Sequence, residues 1–208
     1  MPGARTHDAI TVATGLALAP LGYIGLISLG TSSSNAALDT LLLVGAHLIS
    51  GIMFSPDLDL DSAIDDRWGI FFWIWRPYMW LVPHRHRWLS HGLVISALVR
   101  LFYFYVVVML LFVSFAWAIA RLGVVVPDYH IRVSNYLLGL ARTHSHEVLA
   151  FIAGFITGGA AHTIADWLVT GGKRYLHRWG FRISRDYSDH DHRHQRDHAR
   201  HRRMRSWR

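Results

Sequence analysis

Long apolar runs separated by short polar segments are the main feature of this sequence. Four runs contain at most one charged residue each and span 18 to 28 residues, which at about 1.5 Å per residue suits helices crossing a hydrocarbon layer of roughly 30 Å. They are residues 9–30, 37–54, 93–120 and 148–168. The pattern predicts an all-α helical membrane protein with about four spanning helices, the first of them kinked near Pro20.

The first run could also be a secretory signal peptide, because Asn35-Ala36-Ala37 would suit a cleavage site of small residues. The run is long for a signal, however, and Arg5 is the only basic residue before it. A spanning helix is therefore the preferred interpretation.

A tryptophan-rich segment, residues 69–82, does not fit the pattern of a spanning helix. It is only about fourteen residues long and is interrupted at Arg76-Pro77. The tryptophan and tyrosine residues in and beside it are Trp68, Trp73, Trp75, Tyr78 and Trp80. Such residues favour the boundary between lipid and water, so we expect an interfacial or re-entrant segment at the level of the lipid headgroups.

Composition supports the membrane class and limits the chemistry. Hydrophobic residues make up 52% of the chain and charged residues 17%, and there is no cysteine, so any metal ion must be held by nitrogen and oxygen. Twelve of the 21 Lys and Arg residues lie between residues 173 and 208. We therefore expect a metal-binding helical domain at residues 1–172 and a basic, His- and Arg-rich tail at 173–208 that is disordered or surface-bound.

Counting the crossings places several polar clusters at one end of the helices. If residues 121–146 form a loop on the far side, the starts of spans one and three lie beside the ends of spans two and four. That end also carries the basic tail, so the positive-inside rule predicts that it is cytoplasmic.

The clusters at this end contain residue types that bind divalent metal ions. His162 and Asp166 are four residues apart and so share one helix face, while Asp57 and Asp59 follow Pro56 in a segment that is not expected to be helical. Imidazole and carboxylate together suit Zn²⁺, Mn²⁺ or Fe²⁺. The candidate ligands are His7, Asp57, Asp59, His86, His91, His162 and Asp166.

Each candidate also has a simpler explanation. The His162–Asp166 pair could be hydrogen-bonded at a helix end, the acidic turn could face water, and His86 and His91 could contact lipid phosphate. Asp8 could be the N-cap of the first helix. His47 lies deeper in the second span, where it either reaches a metal ion or hydrogen-bonds another helix, and Arg100 is expected to extend toward the interface.

Several of these motifs, taken in order, resemble a known family. They are Thr6-His7-Asp8, Pro56-Asp57-Leu58-Asp59, Arg67-Trp68-Gly69 with Ile74-Trp75-Arg76-Pro77-Tyr78, the segment His86 to Gly92, and His162 with Asp166. Between about residues 3 and 170 the chain resembles an uncharacterised bacterial and cyanobacterial family catalogued as metal-binding proteins. The two central motifs are also similar to those of YdjM-like inner-membrane proteins, which are described as metal-dependent hydrolases.

The resemblance implies a helical protein of the bacterial inner membrane with a metal-binding end, and a more distant likeness to zinc-dependent phospholipase C and P1 nuclease. Those enzymes use an N-terminal amino group as a ligand, whereas this chain begins Met1-Pro2-Gly3 and has no Trp there. Their metal constellation is therefore not carried over, and fold likeness alone does not assign a function.

Three functional hypotheses follow. The first is a membrane-embedded hydrolase of a small phosphoester, in which one or two metal ions activate water, Asp8 accepts its proton, and Arg87 or Arg67 holds the phosphate. The second is a non-catalytic protein whose metal ion ties helix ends together. The third is a membrane anchor for a tail that binds anionic lipid; nucleic acid is the less favoured partner.

Overall fold

The computed structural model of the protein describes residues 4–55, 67–81, 92–124 and 128–178. Within these ranges the regular structure is helical, which confirms the all-α class. A 3-10 helix (Gly69–Trp75) leads directly into a short α-helix. The α-helices are α1 (Ala4–Ser28), α2 (Ser33–Met53), α3 (Arg76–Leu81), α4 (Ile95–Ala120), α5 (Tyr129–Thr143) and α6 (Ser145–Arg178).

Four of these helices are long and apolar enough to cross a membrane. The apolar segments are Arg5–Ser28, Ser33–Met53, Ile95–Ala120 and Ser145–Val169, and they coincide with the four predicted spans to within a few residues. α1 continues through Pro20. α6 continues beyond its span to Arg178, so the first six residues of the predicted tail are helical, and residues 179–208 lie outside the described ranges.

The prediction of a loop across residues 121–146 is wrong in its central part, which forms α5. Apolar residues recur there at helical spacing, at Val133, Leu137 and Leu140, but polar residues interrupt them and none of the helix is buried. Hydropathy alone does not predict such a helix, because its fifteen residues are amphipathic and too few to cross a membrane.

Among the described residues, α2 and α6 form the helix pair with the most extensive contact, and they run parallel. Gly154 faces the carbonyl oxygen of Leu43, and one turn later Gly158 faces that of His47. A Cβ atom at either glycine would overlap that oxygen, so the missing side chains allow backbone contact. The parallel direction follows from the order of these contacts, which advance together along both helices.

α1 packs antiparallel to α2 on the same side of the bundle. Gly22 of α1 lies against Leu43, Gly15 lies against Leu48, and Thr11 lies against Gly51. The beginning of α1 therefore meets the end of α2 and, because α2 and α6 are parallel, the later turns of α6. This arrangement brings together residues that are more than 150 positions apart in the sequence.

The tryptophan-rich segment has one buried and one exposed side. Trp75 and Tyr78, which were predicted to lie among the lipid headgroups, are instead buried in the core. Trp75 makes edge contacts with Phe54 at 5.4 Å and with Tyr78 at 5.7 Å between ring centroids. Trp73 and Trp80 are exposed, so only this other side can meet the lipid boundary.

Candidate metal centre

His7, His162 and Asp166 come together where the start of α1 meets the later turns of α6. His7 lies in the first turn of α1, and the other two residues lie one turn apart on α6. All three are buried, with 3%, 2% and 7% of their surfaces exposed. One atom from each side chain can be chosen so that the three lie within 4.8 Å of one another.

The two imidazoles present their Nε2 atoms to the Asp166 carboxylate. His7 Nε2 lies 3.3 Å from Oδ1, His162 Nε2 lies 3.6 Å from Oδ2, and the two rings are stacked 3.7 Å apart at 12°. Two ligands of a tetrahedral Zn²⁺ with bonds of about 2.0 Å are themselves about 3.3 Å apart. The spacing therefore fits a shared ion of this size.

The hydrogen bonding of the cluster also fits a bound cation. The Asp166–histidine distances are within ion-pair range, but both Asp166 oxygens and His7 Nδ1 lack a hydrogen-bond partner among the residues that the structure describes. A buried carboxylate without such a partner is costly. A divalent cation would remove that cost, so the residues present fit a metal ion.

Ser55 contacts the cluster from the end of α2. Its Oγ atom lies 3.0 Å from Nδ1 and 3.4 Å from Nε2 of His162, and both residues are buried. No role of Ser55 is predicted from the sequence pattern. Its position directly before Pro56-Asp57 was the available signal.

Arg67 connects the start of α1 to the end of α2. Its guanidinium donates to Oδ2 of Asp8 at 2.6 Å and to the carbonyl oxygen of Ile52 at 2.5 Å, while Trp68 donates to the carbonyl oxygen of Met53 at 2.9 Å. These donors satisfy carbonyl groups that a helix end leaves open. The Arg67 guanidinium also holds Oδ2 of Asp8 in an ion pair.

The structure leaves part of the predicted ligand set untested. Asp57, Asp59, His86, Arg87 and His91 lie outside the described residues. Their assignment as ligands or, for Arg87, as a phosphate contact stays a prediction.

Among the described residues, His47 forms hydrogen bonds to other helices, which is the second of its two predicted roles. Its Nε2 lies 2.9 Å from Oγ1 of Thr14 and 3.2 Å from the carbonyl oxygen of Thr11, and its Nδ1 lies 3.1 Å from Oγ1 of Thr157. Since both ring nitrogens are already engaged, the ring links α2 to α1 and α6.

We expect His47→Ala to reduce the stability of the bundle by about 1–3 kcal/mol, because the hydrogen bonds are lost and a cavity remains. Its metal content should equal that of the wild type. Thermal unfolding and elemental analysis of the detergent-solubilised protein measure the two effects, and His146→Ala, an exposed site on α6, is the matched control. Loss of metal at unchanged stability would instead place His47 in the centre.

Arg100 does not extend toward the interface as expected. It is fully buried, and its Nη2 atom lies 2.9 Å from the position that a Cβ atom of Gly159 would occupy. The absence of a side chain at Gly159 leaves room for the guanidinium inside the bundle. A positive charge therefore lies about one helical turn from His162.

Comparison with known families agrees with this chemistry. Residues 2–176, which are most of the chain, match the family described as uncharacterized metal-binding protein, DUF2227. The chain belongs to this family. No curated protein and no solved structure matched.

Membership of the DUF2227 family supports metal binding as a general property, and the cluster of His7, His162 and Asp166 shows which described residues could hold the ion. The resemblance to YdjM-like hydrolases remains a prediction from the motifs.

Proposed function

We propose that this protein is a membrane-bound, metal-dependent hydrolase that acts on a phosphoester near the lipid headgroups. The observation that supports this best is the buried cluster of two imidazoles and one carboxylate, with its metal-binding atoms within 4.8 Å. Three protein ligands on one ion leave a coordination position for water or substrate, as catalytic sites do, and the further proposed ligands would hold a second ion. Zn²⁺ is the preferred ion, with Mn²⁺ and Fe²⁺ as alternatives.

The roles of the chain's own residues follow from their contacts. His7, His162 and Asp166 would hold the ion, and the ion, when bound, would supply an acidified water and polarise the phosphoryl group. Asp8 is the proposed proton acceptor, because Arg67 holds one of its oxygens while Oδ1 has no hydrogen-bond partner among the described residues. Arg67 would orient Asp8, and Arg87 remains the proposed phosphate contact.

Chain connectivity supports Asp57 and Asp59 as additional ligands. Ser55, two residues before Asp57, contacts His162, and Arg67, the first described residue after this part of the chain, contacts Asp8. The residue directly before the acidic motif therefore contacts the cluster, and Arg67 contacts the residue next to His7. His86 and His91 complete the proposed set on the strength of their motif alone.

Several observations favour a substrate at the membrane surface. The segment that begins at Arg67 has an exposed apolar side. Its first two residues, Arg67 and Trp68, also form hydrogen bonds to the start of α1 and to the end of α2. The exposed residues are Ile70, Phe71, Trp73, Trp80 and Leu81. Such a surface suits the lipid–water boundary, and we propose that this end and the basic tail face the cytoplasm.

A structural metal site is the alternative function. The ligands come from two different helices, so an ion would fasten the start of α1 to α6 even without any reaction. A coordination shell filled by protein side chains would favour this alternative, and an open position would favour catalysis. The hypothesis of a lipid-binding tail concerns residues mostly outside the described ranges and stays a prediction.

We expect the metal-loaded protein, reconstituted in phospholipid vesicles, to hydrolyse a phosphomonoester, a phosphodiester or the vesicle lipid itself. Bis-p-nitrophenyl phosphate, p-nitrophenyl phosphate and release of labelled headgroups are the three readouts. Activity should disappear with a chelator and return with Zn²⁺ or Mn²⁺. A fully metallated protein that hydrolyses none of the three would give precedence to the structural alternative.

A further inference from the structure

An apolar groove with a volume of about 970 Å³ lies between α2, α4, α5 and α6. Its lining is almost entirely hydrocarbon, and His144 and Glu147 border one end of it. We propose that this groove binds one phospholipid, with the two acyl chains among the four helices and the headgroup at His144 and Glu147. This inference does not depend on the metal centre or on hydrolysis.

Contacts between the bordering helices shape the groove. α4 approaches α6 near its own start, where the Cβ atom of Ala97 lies 3.5 Å from the position that a Cβ atom of Gly159 would occupy. Further along α4, α5 is fastened to it by the hydroxyl groups of Tyr105 and Ser134, which lie 2.8 Å apart. α5 then leads into α6 at His144. The side of α5 that borders the groove carries its apolar residues, Val133, Leu137 and Leu140.

The groove lies toward the opposite end of α6 from the metal centre. Its lining on α6 ends at Ile152, which precedes His162 by ten residues, or about 15 Å along the helix. α2, α4 and α6 are each long and apolar enough to cross a membrane, so in a bilayer this part of the bundle is surrounded by hydrocarbon. The groove can therefore be filled by acyl chains or by another spanning helix.

The size of the groove favours acyl chains. Its lining on α4 extends from Leu98 to Met109, which is about 16 Å along the helix and about half of a hydrocarbon layer of roughly 30 Å. A volume of about 970 Å³ over this length gives a mean cross-section of about 60 Å². A helix with its side chains is at least about 10 Å across and needs about 80 Å². An extended hydrocarbon chain is about 5 Å across and needs about 20 Å², so the two chains of one phospholipid fit and a helix of a second copy does not.

The polar end of the groove fixes the orientation of the lipid. Nδ1 of His144 lies 3.1 Å from Oε1 of Glu147, and both residues lie where α6 begins. An imidazole can donate to a phosphate oxygen, and a carboxylate can accept from an ammonium group. The groove thus has a polar end followed by an apolar length, which is the order of groups in a phospholipid.

A single introduced cysteine can report on the groove, because the chain has no cysteine of its own. Val148→Cys places a bimane label in the groove, and Leu149→Cys is the matched control, since Leu149 is the next residue and is 63% exposed. The delipidated full-length protein in detergent is titrated with phosphatidylethanolamine that carries bromine on its acyl chains. We expect the label at position 148 to be quenched with saturation at about one lipid per chain, because buried methylene groups favour binding. The label at position 149 should respond only to a large excess of lipid.

A second pair of variants fills the groove. Val148→Trp should lower the amount of phospholipid that is retained through purification by about tenfold or more, because the indole occupies the space of the chains. Leu149→Trp should retain as much phospholipid as the wild type. Native mass spectrometry measures the retained lipid, and thermal unfolding shows whether each variant is folded. The cysteine variants decide the question if Val148→Trp does not fold.

The inference is overturned if the two bimane labels are quenched in parallel, or if Val148→Trp and Leu149→Trp retain equal amounts of phospholipid, since either result indicates ordinary boundary lipid. A lipid-free dimer in which the label at position 148 is inaccessible to the brominated lipid would show that a second copy covers the groove, and would also overturn it. Neither measurement uses metal content or hydrolysis, so this inference and the proposed function can fail separately.

Discussion

Asp166→Asn is expected to lower the affinity for the metal ion by more than about 100-fold, an effect larger than that of losing a neighbouring orienting group. The substitution keeps the shape of the side chain but removes the charge that both imidazoles face at 3.3 and 3.6 Å. His7→Ala should have a similar effect, although His7 lies on a different helix. Elemental analysis and chelator competition on the purified protein measure the loss.

Stability provides a second measure of the same prediction. Metal at 100 times its dissociation constant should stabilise the wild type by about 2.7 kcal/mol, and Asp166→Asn should show almost none of this gain. Asp39→Asn is the matched control, since Asp39 is a buried aspartate near the opposite end of α2, about 24 Å from Ser55 along the helix. Stoichiometric metal in both Asp166→Asn and His7→Ala would remove these residues from the centre.

Gly154→Ala is expected to destabilise the bundle by about 3 kcal/mol or more, at the upper end of the range for overpacking. A Cβ atom there would overlap the carbonyl oxygen of Leu43, and a backbone atom cannot move aside as a flexible side chain can. Gly158→Ala should be similar and should also weaken metal binding, because α6 carries His162 one turn further on. Thermal unfolding in detergent measures the change.

The control for these variants is Gly45→Ala, which lies on α2 where nothing comes within 4 Å of the added Cβ. It should be neutral or stabilise the protein by up to about 1 kcal/mol, because alanine favours the helix. Equal unfolding temperatures for Gly154→Ala and Gly45→Ala would contradict the close contact of α2 and α6.

The spanning helices could be predicted because hydrophobic length is a local property of the sequence. Each apolar run is long enough to cross a membrane by itself, and the structure forms a helix over each of them. The helix α5 was not predicted, because its fifteen residues mix apolar and polar positions and local hydropathy does not distinguish this pattern from a loop. Trp75 shows a different limit of prediction from sequence. Tryptophan is a residue type that favours a membrane interface, but Trp75 lies on the inner side of its segment and is buried.

Part of the metal centre could also be anticipated. The spacing of His162 and Asp166 places them on one helix face, and counting the crossings brings His7 to the same end. The contacts of Ser55 with His162 and of Arg67 with Asp8 could not be derived, because they depend on how helix ends are rotated and on which side chains cap them. The role of His47 could not be derived either, because its position within the second span suited both metal binding and hydrogen bonding to another helix.

The sequence by itself determined the number and position of the apolar helices, the exclusion of thiolate chemistry, and the presence of imidazole and carboxylate groups near helix ends. These are properties of composition and of short-range periodicity. Only the tertiary structure decided that α2 and α6 are in backbone contact, that Arg100 is enclosed, and that His7, His162 and Asp166 approach one another. Such contacts join residues far apart in the chain, and their geometry is set by side-chain packing between helices.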